Sequence, residues 1–228
     1  MKFHYTNLES CHEATGVVVV IDVLRAFTNA AFAFSRGAKE IYPVSGVDEA
    51  LQLKTKIANS LVCGEEGGLP PEGFDFGNSP TQTRELDLAD KIIVQRTGAG
   101  TQGITRSVKA EIMLATSFVV ASATTEYIRH LAPETLTFVV TGQYAPEHGD
   151  EDLACAEYLE LLLKDKQPDP VTFIERVIRS RDAIKHLDPH IPEFPRSDLD
   201  HCTSIDAFDF AMLVTKENGR PVMRAVQP

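Results

Sequence analysis

Apolar residues along this chain come in two rhythms that alternate. Residues 17–21 form an unbroken β-branched run, VVVVI, the pattern of a strand buried on both faces of a parallel sheet. The run stops at Asp22, and residues 26–35 then read as an apolar helix closed by Gly37. Residues 41–44 predict the next strand. Val47, Ala50, Leu51, Ile57 and Ala58 fall at helical spacing, and a strand follows at 61–63. Further along, 91–95, 112–115 and 137–141 read as strands. The helices between and after them start at Gln102, cover 123–131 and 152–163, and end with a long one over 171–187. Near the C-terminus, 211–215 and 221–226 flank Asn218-Gly219, the signature of a tight hairpin. Strands alternating with helices predict a three-layer α/β/α fold, with a largely parallel or mixed sheet covered on both faces. Residues 1–228 are expected to form a single α/β domain, or two joined lobes dividing near 115–135.

In open α/β sheets ligands bind beyond the carboxyl ends of the strands, so the segments after each strand carry the candidate chemistry. After the first run come Asp22 and Arg25, a carboxylate for a hard metal ion and a guanidinium for an anion, or else an internal ion pair. After residues 61–63 a long loop, 64–80, is rich in glycine and proline and contains Glu65, Glu66, Asn78 and Ser79. Ser79-Pro80 reads as a helix N-cap with proline at the first helical position, which sets Asn78 and Ser79 beside exposed amides. The loop RTGAGT follows the strand 91–95. Its Arg96, Thr97, Gly98, Gly100 and Thr101 make a candidate phosphate cradle, although it is neither a P-loop nor a GxGxxG turn. The segment 142–152 carries Glu147, His148, Asp150, Glu151 and Asp152 at a helix start. The acids suit the helix dipole, and their density also suits Mg²⁺ or Mn²⁺.

Composition narrows the function. Lys and Arg total 22 against 33 Asp and Glu, a formal net charge of -11, which makes nucleic acid and anionic membrane poor partners. No apolar stretch has the length of a membrane span, and the first residues lack the apolar run of a signal sequence. Four scattered cysteines without a CxxC pair read as reduced and buried, which fits a cytoplasmic protein. The composition is compatible with a homo-oligomer.

In order along the chain, IDVLRAFT (21–28), CGEEGG (63–68), GFDFGNSP (73–80), RTGAGT (96–101) and EDLACAEYL (151–159) resemble the 2-phosphosulfolactate phosphatase family. The resemblance implies Mg²⁺-dependent hydrolysis of 2-phospho-3-sulfolactate to 3-sulfolactate and phosphate, a step of coenzyme M biosynthesis, in a phosphatase-like α/β domain. It favours Asp22, Arg25, Glu65, Asn78, the 97–101 loop, Glu151 and Asp152 as site residues; together with the strand-end reading, Asp22, Glu65 and Asp152 are the expected catalytic residues and Asp22, Glu151 and Asp152 the expected metal ligands. Arg25, Asn78, Ser79, Arg96, Thr97, Gly98, Gly100 and Thr101 would bind the substrate. Two departures stand out: the family's loop often carries asparagine where this chain has RTGAGT, and DVLRA is followed here by Phe27-Thr28-Asn29. The alternatives are a family relative with another substrate, or a non-catalytic binder of a phosphorylated or acidic metabolite. A dinucleotide oxidoreductase is disfavoured by the missing GxGxxG.

Overall fold

The computed structural model describes residues 1–142 and 149–228. Nine strands form one sheet. In chain order they are β1 (Lys2–Thr6), β2 (Gly16–Ile21), β3 (Glu40–Val44), β4 (Ser60–Gly64), β5 (Ile92–Arg96), β6 (Ala110–Thr116), β7 (Thr135–Val140), β8 (Ala211–Glu217) and β9 (Arg220–Val226). Their order across the sheet is β1-β7-β2-β6-β8-β9-β3-β5-β4. The first four are mutually parallel, and so are the last three. Between these groups sits the antiparallel β8–β9 hairpin, which pairs with β6 on one side and, through Ile41 and Met223, with β3 on the other. The sheet is therefore mixed.

The helices are α1 (Ala26–Ser35), α2 (Val47–Lys56), α3 (Pro80–Thr83), α4 (Gly100–Arg106), α5 (Ala121–Leu131), α6 (Asp150–Leu163), α7 (Pro170–Arg179) and α8 (Arg196–Cys202). Alternate residues of β2 explain the layers. Val18 and Val20 pack with α1 and α4, whereas Val17, Val19 and Ile21 pack with α5, α6 and α7. With both faces covered, no position in β2 needs a polar residue, hence the unbroken run. The core on the α1 side extends across both halves of the sheet through Ile41, Cys63 and Ile93. On the opposite face, Val44, Val62 and Val94 form a smaller separate cluster with Ala50 and Leu53 of α2.

The pairing signs run the two parallel groups in opposite directions, yet their C-terminal ends meet. From β2 to β5 there are five steps across the sheet. A twist of about 20–25° per step accumulates to roughly 100–125°, which swings one set of strand ends toward the other.

Two parts of the fold depart from the pattern read along the chain. The helix expected over 171–187 breaks at Ser180, whose backbone is extended and whose hydroxyl accepts from the Ala183 N–H. Residues 181–187 continue as a 3₁₀ helix. β1 and α8 lacked a clear periodic signal. β1 is an edge strand, with Lys2, His4 and Tyr5 exposed. The hairpin turn follows expectation, with Asn218 at φ 49° and Gly219 at φ 81°, the pair of positive φ values a type I′ turn requires.

Candidate active site

The strand ends surround a cavity of about 310 Å³. Asp22, Leu24 and Arg25 enter it after β2, Glu65, Gly67 and Gly68 after β4, Gly98 and Ala99 after β5, and Gly142 after β7. The start of α6 supplies Glu151 and Asp152, Asn78 comes from before α3, and Asp182, Lys185 and Phe194 complete the lining.

Asp22 sits where β2 ends, with only 5% of its surface exposed. Its Oδ1 accepts from the Ala26 N–H at 2.9 Å, so the carboxylate also anchors the start of α1. Burial, reinforced by the charge of Glu65, pushes it up to about 6 against amide bonds from Ala26 and Gly100 that pull the other way. Gly100 is obligatory at this contact: a Cβ there would stand 2.7 Å from Asp22 Oδ2 and 2.8 Å from Ala26 Cβ.

Asp152 ties two strands together. Its Oδ1 accepts from Val23 N–H at 2.7 Å, and its Oδ2 accepts from Gly142 N–H at 2.8 Å and Thr141 Oγ1–H at 3.2 Å. Burial first, then the charges of Glu151 and Asp22, raise it well above the usual carboxylate range. Glu151, beside it, is pushed up to about 7 by burial and by the charges of Asp182 and Asp22. Glu151 Oε2 is buried without a hydrogen-bond partner among the described residues, as is Asn78 Oδ1. Among the described residues no three His, Cys, Asp or Glu side chains are already gathered into a ligand set. Among the described residues, Asp22, Glu151 and Asp152 crowd one another here with no lysine or arginine in ion-pair range of any of them.

Glu65 staples the two glycine-rich loops: its Oε1 accepts from Gly98 N–H at 2.5 Å and its Oε2 from Gly68 N–H at 2.6 Å. Behind it, Arg96 Nη1–H donates to the Glu65 carbonyl at 2.7 Å and Nη2 pairs with Glu66 at 2.9 Å. Arg96 thus shapes the loop from outside the cavity. Thr97 and Thr101 are buried a layer deeper, where Thr97 N–H donates to Thr101 Oγ1 at 2.8 Å and Thr101 Oγ1–H to the Thr97 carbonyl at 3.0 Å. These hydroxyls hold the turn so that Gly98 and Ala99 face the cavity.

Arg25 is buried in an ion pair with Asp198 of α8 at 2.5 Å, their side chains 4% and 0% exposed. Asp198 also accepts from Ser79 Oγ–H at 2.7 Å and Thr81 N–H at 2.9 Å. Ser79 caps α3 as its position before Pro80 predicts, accepting from Gln82 N–H at 3.3 Å, and it lies beside the cavity rather than in it.

The structure therefore brings Asp22, Arg25, Glu65, Asn78, Gly98, Glu151 and Asp152 to one cavity, and sets Ser79, Arg96, Thr97, Gly100 and Thr101 around it as supports. Glu147 and His148 lie outside the described residues. Sequence reasoning missed Asp182, Lys185, Phe194 and Asp198. One available signal was Ser180, a capping residue three positions before Ala183 inside what looked like continuous helix. The partner of Arg25, 173 residues away, left none.

A three-layer sheet with carboxylates and glycine turns converging at its strand ends defines an α/β enzyme. The family model of 2-phosphosulpholactate phosphatase matches residues 3–217. A Bacillus subtilis protein named "Probable 2-phosphosulfolactate phosphatase" is 33% identical over 209 residues, covering 91% of each chain. Proteins of the same name from Thermotoga petrophila and Thermus thermophilus are 33% and 34% identical, covering 83% and 64% of this chain and 85% and 62% of their own. The chain belongs to the 2-phosphosulpholactate phosphatase family, whose members are phosphoric monoester hydrolases.

Proposed function

We propose that this protein hydrolyses a small phosphorylated hydroxy acid, 2-phospho-3-sulfolactate above all, to 3-sulfolactate and phosphate, with Mg²⁺ held by Asp22, Glu151 and Asp152. The observation that carries the reading is the crowding of these buried carboxylates with no counter-charge among the described residues. Buried charges are normally paired, so a set left unpaired fits a cation. The donor set is all oxygen, and the partnerless Glu151 Oε2 is one spare ligand. When bound, a divalent cation would neutralise phosphate charge and orient water at the phosphorus.

The chain's own groups do the rest. With the Gly98 N–H taken by Glu65, the Ala99 amide is the backbone donor the turn would offer to a phosphoryl oxygen, in an arrangement that needs no side-chain movement. Glu151, pushed up to about 7, and Asp22, pushed up to about 6, both resist ionisation while no cation is bound, and a divalent cation would stabilise their charged forms. Glu65 acts as a positioning residue, because its oxygens are committed to the amides that hold the loops, whereas Asp152 holds the strand ends through one amide on each oxygen and would ligate the cation with the lone pairs these leave. The reading carries with it a step of coenzyme M biosynthesis. It also implies a cytoplasmic location, which the four free, buried cysteines support. Among the described residues no helix is long and apolar enough to cross a membrane.

Phosphate release from a panel of phosphorylated hydroxy acids, with Mg²⁺ and with chelator, tests the proposal. Turnover of 2-phospho-3-sulfolactate that requires the metal is expected. A folded protein that binds the panel but never releases phosphate at any metal concentration would sink it in favour of a binder.

A further inference from the structure

Two cations share one aromatic ring at the cavity wall, and they are not equivalent. Arg25 Cζ lies 4.5 Å from the Phe194 ring centroid and Lys185 Nζ lies 4.7 Å from it. The charge of Arg25 is already committed to Asp198, and two further N–H groups go to the Glu193 and Gly68 carbonyls at 3.2 and 3.4 Å. Lys185 is placed otherwise. Its ion pair is with Asp182 at 3.9 Å, beyond hydrogen-bond reach, and its side chain is 35% exposed.

The local backbone explains this placement. Residues three apart eclipse in a 3₁₀ helix, so Asp182 and Lys185 project from the same side of the 181–187 segment, and both line the cavity. The face of Phe194 restrains the ammonium while using none of its three N–H donors. Asp22, Glu151 and Asp152 line the same cavity, and they repel any anion not screened by a cation. A phosphorylated acid carrying a second anionic group must set that group away from them.

We propose that Lys185 is the specificity-determining residue of the cavity: braced on Phe194, its ammonium binds the non-transferred anion of the substrate, sulfonate or carboxylate. This rests on the phosphatase reading above. Phosphorylated acids are thereby selected over esters of neutral alcohols, because only the former give Lys185 a charged acceptor.

Three phosphomonoesters test it with the full-length protein and Mg²⁺: 2-phospho-3-sulfolactate, 2-phospholactate and glycerol 2-phosphate. In Lys185→Met the preference for the anion-bearing esters over glycerol 2-phosphate should fall by about tenfold to a hundredfold, the worth of a charge-assisted hydrogen bond. The loss should appear mainly in KM, and Lys185→Arg should restore most of it. A loss shared by 2-phospholactate assigns the carboxylate to Lys185, and a loss confined to the sulfonated ester assigns the sulfonate. An unchanged preference in Lys185→Met, with the wild type active, overturns the inference. If the wild type releases no phosphate from any of the three, the phosphatase reading fails instead. Calorimetric binding of 3-sulfolactate then decides: affinity lost in Lys185→Met and kept in Lys185→Arg supports the role, and equal affinity in all three proteins removes it.

Discussion

Asp22 and Asp198 are both buried carboxylates a few residues from the same arginine in space, yet the fold treats them in opposite ways. Asp198 has Arg25 at 2.5 Å and two further donors from the start of α3, so its charge is answered on every side. Asp22 has backbone amides and, for neighbours, other acids. The first arrangement locks α8 and α3 onto the loop after β2 and works as structure. The second leaves a buried carboxylate with no cation in ion-pair range among the described residues, the arrangement on which the proposed metal site rests. Burial alone does not mark a functional carboxylate; burial without a counter-charge does.

Removing Asp198 is the sharpest way to break this contrast. Asp198→Ala strands the buried guanidinium of Arg25 along with the Ser79 hydroxyl and the Thr81 N–H. Unfolding in denaturant should show a loss of about 3–5 kcal/mol, the usual cost of orphaning one partner of a buried pair. A loss below about 1 kcal/mol would mean that the pair is solvated and the contrast is wrong.

Asp22→Asn should do the reverse for stability while reducing phosphate release by about 10²-fold or more, because a proposed metal ligand is lost. The sign follows from linkage. In the fold Asp22 titrates at about 6, against an ordinary 3.8. Between those values the unfolded chain has already lost the proton that the native state keeps, so ionisation costs native stability as pH rises. Without metal, the asparagine variant should therefore gain on the wild type from about pH 4 to about pH 6, by on the order of 2–3 kcal/mol. His186, buried and held down to about 4, titrates alike in both proteins, whereas Glu151 and Asp152, both raised in part by the charge of Asp22, ionise more easily in the variant and extend its gain above pH 6. A difference that stays flat with pH would show that Asp22 is not a strained carboxylate.

Ser79→Ala carries the smallest effect and sharpens the structural side. It removes a helix cap and one donor to Asp198, with an expected loss of about 1 kcal/mol. The pH profile of phosphate release should keep its shape. A shifted profile would couple the Arg25–Asp198 cluster to Asp22 and blur the distinction between them.

How much was legible in advance depended on the distance over which each feature is decided. The β2 run, the Asn218-Gly219 turn and the Ser79 cap are settled by neighbours within a few residues, and periodicity and turn chemistry reported them correctly. Asp22, Glu65, Asn78, Glu151 and Asp152 were legible because each immediately follows a strand or opens a helix, where parallel sheets put their ligands. The sequence also determined the family, through five short motifs in order. Only the tertiary structure decided which members of those motifs face the cavity. It set Arg96 and Thr101 behind the loop and committed Arg25 to Asp198. It also brought Lys185 and Phe194, on a late segment with no motif of its own, to the cavity wall. The reason is physical: local preferences act along the chain, whereas the pairing of buried charges and the convergence of strand ends are set by sheet twist and packing between residues far apart in sequence.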